Sequence, residues 1–218
     1  MREYQAFVRD PQGGPAARHM GLPAMDRRRA PVDTPTVPGE PGLWILLLGD
    51  MTVFALFFGA FLLGRGRHPG EYAAAREKLT IALGTLNTVI LLTSSLCVAL
   101  AVRAHREQRR LHARRLIDAA VLCALGFVLI KGIEWGGLLH AGLSPSTSGF
   151  FMFYFVITGV HLFHVLIGLG GLRLMHRTVS RPADERWPRL IVECAGSYWH
   201  MVDLLWVVIF PLLYFSAT

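Results

Sequence analysis

The sequence has few cysteines and none of the common signatures of a catalytic site. Its three cysteines, Cys97, Cys123 and Cys194, form no CxxC pair, and each lies in or beside an apolar stretch. An odd count without paired spacing argues against a disulfide framework and against a zinc site. A nucleophile–base pair, a phosphate-binding glycine loop and a dinucleotide fingerprint are also missing from the sequence. The sequence therefore offers no candidate catalytic residue and no candidate metal site.

Charge is also scarce. Only 17% of the 218 residues are charged, whereas 53% are hydrophobic and the mean hydropathy is +0.42. A soluble domain of this size rarely contains so much apolar residue, and the charges gather between long apolar stretches, which is typical of a membrane protein. The net charge of +7 is spread over the connecting segments, so it indicates orientation in a membrane rather than a nucleic-acid partner.

The first 41 residues differ from the rest of the chain. They hold seven of the twelve prolines, six arginines and no long apolar run. This composition predicts a disordered, basic, proline-rich tail, and it lacks the apolar core of a cleavable signal peptide. We therefore predict two regions, a tail at 1–41 and a membrane domain at 42–218.

Five apolar stretches follow the tail, each 21 to 24 residues long. A helix of that length, rising about 1.5 Å per residue, can cross a hydrocarbon core of about 30 Å. Because the stretches are continuous rather than alternating, they predict helices and not a barrel. The predicted fold class is all-α, a bundle of five transmembrane helices. The stretches are Leu43–Leu63, Thr80–Val102, Leu116–Leu139, Phe150–Leu172 and Cys194–Phe215.

The basic residues between these stretches predict an orientation. Lysine and arginine total seventeen in the tail and in loops 103–115 and 173–190. They total four in loop 64–79, loop 140–149 and the C-terminus. The positive-inside rule then places the N-terminus in the cytoplasm and Thr218 outside the cell membrane.

Ionisable side chains inside the predicted spans are candidate functional groups, because burying them in a bilayer is unfavourable. Asp50, His164, His200 and Asp203 all lie about 10–15 Å from the cytoplasmic edge of their spans. That common depth predicts one intramembrane polar cluster, in which Asp50 faces His164 or His200. The alternative is that each group bonds separately to a helix of a partner subunit. The predicted cluster is Asp50, His161, His164, His200 and Asp203.

A second polar pair lies nearer the predicted outer surface. Lys131 and Glu134 are three residues apart and share a helix face, which predicts an outer-half ion pair that lowers the cost of burying either charge. Asp118 and Glu193 lie near span ends, where the interface can solvate them. His164 with His200 could in principle ligate one heme, but no other ligand pattern supports a cofactor, and hydrogen-bonded structural histidines are favoured.

Five segments, in this order along the chain, resemble the heme-copper oxidase (cytochrome c oxidase) subunit III family. The resemblance covers about residues 40–216. Full-length members have seven helices, so the chain resembles a short five-helix branch. Asp50 replaces the family's glutamate, Lys131 stands where a neutral amide is common, and PGEPGLW precedes the first helix. These features resemble nitric oxide reductase accessory, or activation, proteins of the E type. The segments are GDMTVFALFF (Gly49–Phe58), LNTVILLTSS (Leu86–Ser95), KGIEW (Lys131–Trp135), TGVHLFHV (Thr158–Val165) and SYWHMVDLLW (Ser197–Trp206).

The resemblance implies a subunit of an oxidoreductase complex that has no redox centre of its own. Such a subunit packs against catalytic subunit I of a heme-copper oxidase or nitric oxide reductase, holds phospholipid and supports proton uptake. Heme and copper would lie in the partner. Asp50 matches the family's intramembrane carboxylate, and Glu134 and the four other predicted cluster residues match its polar positions. Two other hypotheses remain open: a small proton or ion translocator, and a b-type cytochrome.

Overall fold

A computed structural model of the chain describes residues 41–181 and 186–215, which form helices and no strand. Five of the helices are long and apolar enough to cross a membrane. This confirms the predicted all-α, five-span architecture of a multi-pass membrane protein. The predicted tail, apart from Pro41, lies outside the described residues. The helices are α1 Pro41–Arg67, α2 Pro69–Arg76, α3 Ile81–Arg106, α4 Arg110–His140, α5 Gly149–Thr178 and α6 Arg186–Tyr214.

The spanning helices are longer than the apolar stretches that predicted them. α4 begins at Arg110 and α6 at Arg186, and α5 continues to Thr178. Hydrophobicity marks only the hydrocarbon core, whereas the helical backbone continues into the interface, where arginine side chains reach the headgroups. The sequence therefore predicted the spans but not the helix ends.

Helix α2 was not predicted, because it lies in the polar segment assigned to loop 64–79. Its signals are Pro69 in the first helical turn and the alanine run that follows. Tyr72 of α2 packs against Phe61 of α1 and Phe150 of α5, with ring centroids 5.3 and 5.6 Å apart. Burial of Tyr72 raises the pKa of its hydroxyl. The helix thus ties α1 to α5 at one end of the bundle.

Helices α3 to α6 form a four-helix core, and α1 packs outside it against α5 and α6. We call the two ends of the four-helix core the turn end, at residues 107–109, and the loop end, at residues 141–148. Gln108 turns the chain between α3 and α4 with a positive φ of 59°. Beside it, the hydrogen bond from Arg103 lowers the pKa of Glu107. α5 approaches α6 closely at Gly168, where an added Cβ would lie 2.7 Å from the ring of Trp199.

Candidate functional site

A buried ion pair lies inside the core, in the half nearer the loop end. Lys131 Nζ lies 2.6 Å from Glu134 Oε2, and the two side chains are 1% and 4% exposed. The i, i+3 spacing on α4 places both on one face, as the sequence indicated. Tyr214 of α6 donates a 2.5 Å hydrogen bond to Glu134 Oε1, and Lys131 donates to the same hydroxyl at 3.2 Å. The carboxylate therefore has a partner on each oxygen.

Aromatic rings surround the ammonium group of this pair. Lys131 Nζ lies 4.7 Å from the ring centroid of Trp206, 5.6 Å from that of Tyr154 and 5.7 Å from that of Tyr214. The faces of aromatic rings attract cations, so these rings replace part of the hydration that Lys131 loses. None of these three aromatic residues was predicted as part of a site. Each could have been found in the sequence as an aromatic side chain that carries a polar group inside an apolar span.

Asp50 contacts His164 between α1 and α5. Asp50 Oδ2 lies 3.4 Å from His164 Nε2, and His164 Nδ1 lies 2.7 Å from the carbonyl oxygen of Val160. A carbonyl only accepts, so Nδ1 carries a proton and donates it. The contact at Nε2 is then favourable only if a further proton lies on the imidazole or on the carboxyl group. Asp50 is 29% exposed at this contact.

His200 and Asp203 lie in a different contact, between α6 and α3. His200 Nδ1 lies 2.7 Å from Ser95 Oγ, and the carboxyl group of Asp203 lies close to Ser95 and His200. Asp203 is nearly buried, and its Oδ1 has no hydrogen-bond partner among the described residues. Ser95 therefore lies close to both ionisable groups.

His161 points into the core. It is fully buried, and both of its ring nitrogens lack a hydrogen-bond partner among the described residues. Its ring packs 5.7 Å from Phe127 and 5.2 Å from Trp206, measured between centroids. The five predicted cluster residues thus lie in three different helix contacts, and their common role stays a prediction.

The turn end carries its own ion pairs. Arg106 and Arg189 both donate to Glu193 Oε1, at 2.9 and 3.0 Å. Glu193 is only 8% exposed and two arginines neutralise it, although its position near a span end predicted solvation by the interface. Asp118 is 67% exposed and lies 3.2 Å from His176. The two predicted interfacial acids thus have different environments.

The geometry does not present the histidines as heme or metal ligands. Among residues 41–181 and 186–215, no group of three or more His, Cys, Asp or Glu side chains could hold a metal ion. The heme hypothesis required His164 and His200 as an axial pair. Both ring nitrogens of His164 are engaged, by Asp50 and by a backbone carbonyl, so this histidine is placed for hydrogen bonding.

Comparison with protein families matches residues 41–218 to the family described as cytochrome c oxidase subunit III. The match begins at the first residue of α1 and includes all five spans. It therefore covers every helix in the described part of the chain.

Curated relatives agree with this match. Cytochrome c oxidase subunit 3 of a Bacillus species is 30% identical over 190 residues, which is 85% of this chain and 90% of the relative. Cytochrome bo(3) ubiquinol oxidase subunit 3 of Pseudomonas putida is 23% identical over 79% of this chain and 83% of the relative. A heme-copper oxidase subunit I+III of Aeropyrum pernix is 26% identical over 79% of this chain, and the match spans 22% of that longer protein. These names give no support to the nitric oxide reductase branch, which stays a prediction.

Proposed function

Because the chain belongs to the cytochrome c oxidase subunit III family, we propose that it is the non-redox third subunit of a heme-copper oxidase in a bacterial cell membrane. It stabilises the catalytic subunit, which holds the heme and copper, and it supports proton uptake. The family match over 41–218 carries this proposal. A catalytic partner is supported by the Aeropyrum relative, which is named as subunits I and III in one protein.

The contact between Asp50 and His164 supports the role in proton uptake. In this proposal the pair shares one proton at the boundary between α1 and α5. The carboxyl group of Asp50 is partly accessible from outside the chain. A group that holds one proton and is open on one side can exchange that proton with a neighbouring water or subunit. The Lys131–Glu134 pair is buried on all sides and has a structural role instead.

The distribution of arginine and lysine supports a cytoplasmic turn end. A reporter test follows, since alkaline phosphatase is active only outside the cytoplasm. Alkaline phosphatase fused after Thr218 is expected to be active, and the same enzyme fused after Gln108 is expected to be inactive, because arginines flank the turn end. The two fusions control for each other's expression. Activity in the reverse pattern would contradict the orientation.

Copurification tests the function. A tagged chain, extracted from its native membrane in mild detergent, is expected to bring with it about one heme-containing large subunit per chain. Mass spectrometry of the same preparation checks a second part of the proposal, that phospholipid stays bound. A tagged, unrelated multi-spanning protein from the same membrane is the control. A stable, heme-free chain that never associates with an oxidase would overturn the proposal.

The isolated chain distinguishes the two other hypotheses. A translocator would produce proton or ion flux in proteoliposomes made from the chain alone. A b-type cytochrome would show a Soret band after purification. We expect neither from this chain, because Asp50 and His200, which are open to the outside, lie in separate helix contacts, and the buried His161 packs against Phe127 and Trp206.

A further inference from the structure

His200 is an ionisable side chain exposed near the middle of a membrane span. It lies fourteen residues from each end of α6, about 21 Å from both. Its Nδ1 is engaged by Ser95 Oγ, whereas the residue is exposed on the outside of the bundle. Polar groups at this depth normally face protein or a water-filled cavity. A lipid-facing His200 is thus an unfavourable arrangement for the isolated chain.

The neighbouring acid, Asp203, is also unlike the other acids inside the spans. Asp50 contacts His164, Glu134 contacts Lys131, and Glu193 contacts two arginines. Among the described residues Asp203 takes part in no ion pair, and its carboxyl group lies close to Ser95 and His200. His200, Ser95 and Asp203 therefore form one polar unit, which opens to the outside at the ring of His200.

The positions of the protons in this unit determine which hydrogen-bonding role His200 Nε2 can take toward a neighbouring molecule. A net charge facing hydrocarbon is strongly disfavoured, so the unit is neutral overall. In one neutral state Asp203 is ionised and His200 is protonated. In a second, Asp203 is protonated, Ser95 donates to Nδ1, and the ring proton lies on Nε2. In a third, Asp203 is protonated, Nδ1–H donates to Ser95, and Nε2 carries no proton. In every state His200 offers one ring nitrogen outward, which donates a hydrogen bond in the first two states and accepts one in the third.

The surface beside His200 has the shape that a helix requires. A groove runs between α3 and α6 from the Arg106–Glu193 ion pair to His200. Its lining contains the small residues Ala99, Gly196 and Ser197. Small residues allow two helices in a membrane to approach closely, and polar side chains then bond across the contact.

We propose that this groove is where a membrane-spanning helix of the catalytic subunit docks, with a polar group of that helix hydrogen-bonded to His200 Nε2. The inference rests on the proposed function, because it takes the catalytic subunit as the occupant. Docking removes His200 from lipid and gives Nε2 a hydrogen-bond partner. Ser95 holds the ring in place from behind.

The outer face of α1 is the natural comparison. It exposes Ile45, Leu48 and Leu56, and its Thr52 hydroxyl donates to the backbone carbonyl of Leu48. The side chains on that face need no polar partner, so the face is suited to contact with lipid. A probe on it can therefore serve as the control for a probe in the α3–α6 groove of the same protein.

Site-specific photocrosslinking in the assembled complex tests the location. Benzoylphenylalanine is placed at Ala99, which is exposed in the groove, or at Leu56 on α1 as the matched control. We expect the Ala99 probe to crosslink to a spanning segment of the heme-containing subunit, and the Leu56 probe to react only with lipid. Crosslinking of the heme-containing subunit at Leu56 and not at Ala99 would overturn the inference. Lipid adducts alone at both positions, in an intact complex, would also overturn it.

Substitution of His200 tests the hydrogen bond. His200→Leu removes the hydrogen-bonding group, and His200→Gln keeps an amide that can donate or accept at a similar reach. After detergent extraction, we expect His200→Leu to retain about fivefold less heme-containing subunit than the wild type, a loss in the range of one interhelical hydrogen bond. His200→Gln is expected to retain most of it. Equal retention by all three proteins would contradict the role of His200.

Two further measurements separate the possible failures. Melting of each isolated variant shows whether His200→Leu has damaged the fold, and we expect no loss because the side chain is exposed. If the wild-type chain brings down no heme-containing protein, the proposed function fails. If the wild-type chain does bring it down, the docking surface alone can still fail. That is the outcome if His200→Leu retains as much heme-containing subunit as the wild type and the Ala99 probe, like the Leu56 probe, reacts only with lipid.

Discussion

Replacing Lys131 with methionine is expected to lower the free energy of unfolding of the isolated chain by about 3–5 kcal/mol, the usual effect of removing one partner from a buried ion pair. Glu134, which is buried, would lose its counter-charge and stay bonded only to Tyr214. The contacts of the ammonium group with the surrounding rings would also be lost. Unfolding in mixed detergent micelles, followed by tryptophan fluorescence, measures the change.

The chain contains only one other lysine, and it provides the matched control. Lys78 is exposed, so Lys78→Met is expected to change the free energy of unfolding by less than about 0.5 kcal/mol. The double variant Lys131→Met with Glu134→Gln should recover most of the loss, because it leaves no uncompensated charge. If the double variant is no more stable than Lys131→Met, the ion pair is not the source of the stability.

Much of this architecture could be predicted from the sequence because the bilayer imposes a length. A continuous apolar run of 21 to 24 residues has few structural options in a membrane, so all five spans were predicted. The Lys131–Glu134 contact follows the same logic, since i, i+3 spacing on one helix brings side chains together whatever surrounds them. Local rules therefore sufficed for contacts within one helix.

Contacts between helices were harder to predict, because depth along a span can be counted from the sequence but rotation about the helix axis cannot. His161 and His164 are three residues apart, and their directions differ by about 60°. That difference places His161 against Trp206 in the core and His164 against Asp50 at the edge. Tyr214 is 80 residues from Glu134 in the sequence, and only the packing of α4 on α6 brings them together.

The described polar groups are of two kinds, those enclosed by the chain and those accessible from outside it. The Lys131–Glu134–Tyr214 set is closed, because each charge has a partner inside the chain. The Asp50–His164 and His200–Asp203 sets each have one member that is open to the outside. Closed sets maintain the fold, whereas open sets are where protons or a partner can enter. Substitutions in the two kinds of set should therefore affect different measurements, stability in one case and activity or assembly in the other.

Replacing Asp50 with asparagine is expected to leave membrane insertion and assembly intact while slowing proton uptake by the complex by roughly tenfold. This is less than the effect of about a hundredfold or more for a group that acts directly on a substrate. Asparagine keeps the size of the side chain and can donate a hydrogen bond to His164 Nε2, but it cannot release or accept the proton that the pair holds. Stopped-flow measurement of proton uptake, together with the number of turnovers before the complex loses activity, would show the effect.

Two variants make the result specific to a carboxyl group at this place. Asp50→Glu restores a titratable carboxyl group and should restore most of the rate. Asp118→Asn removes an acid that also lies beside a histidine, 3.2 Å from His176, but at the exposed turn end, and it should leave uptake unchanged. Proton uptake and lifetime at wild-type levels in Asp50→Asn would show that the pair serves only to hold α1 against α5. The proton-uptake part of the proposed function would then have no support from this site, because the other open set is proposed to contact the partner.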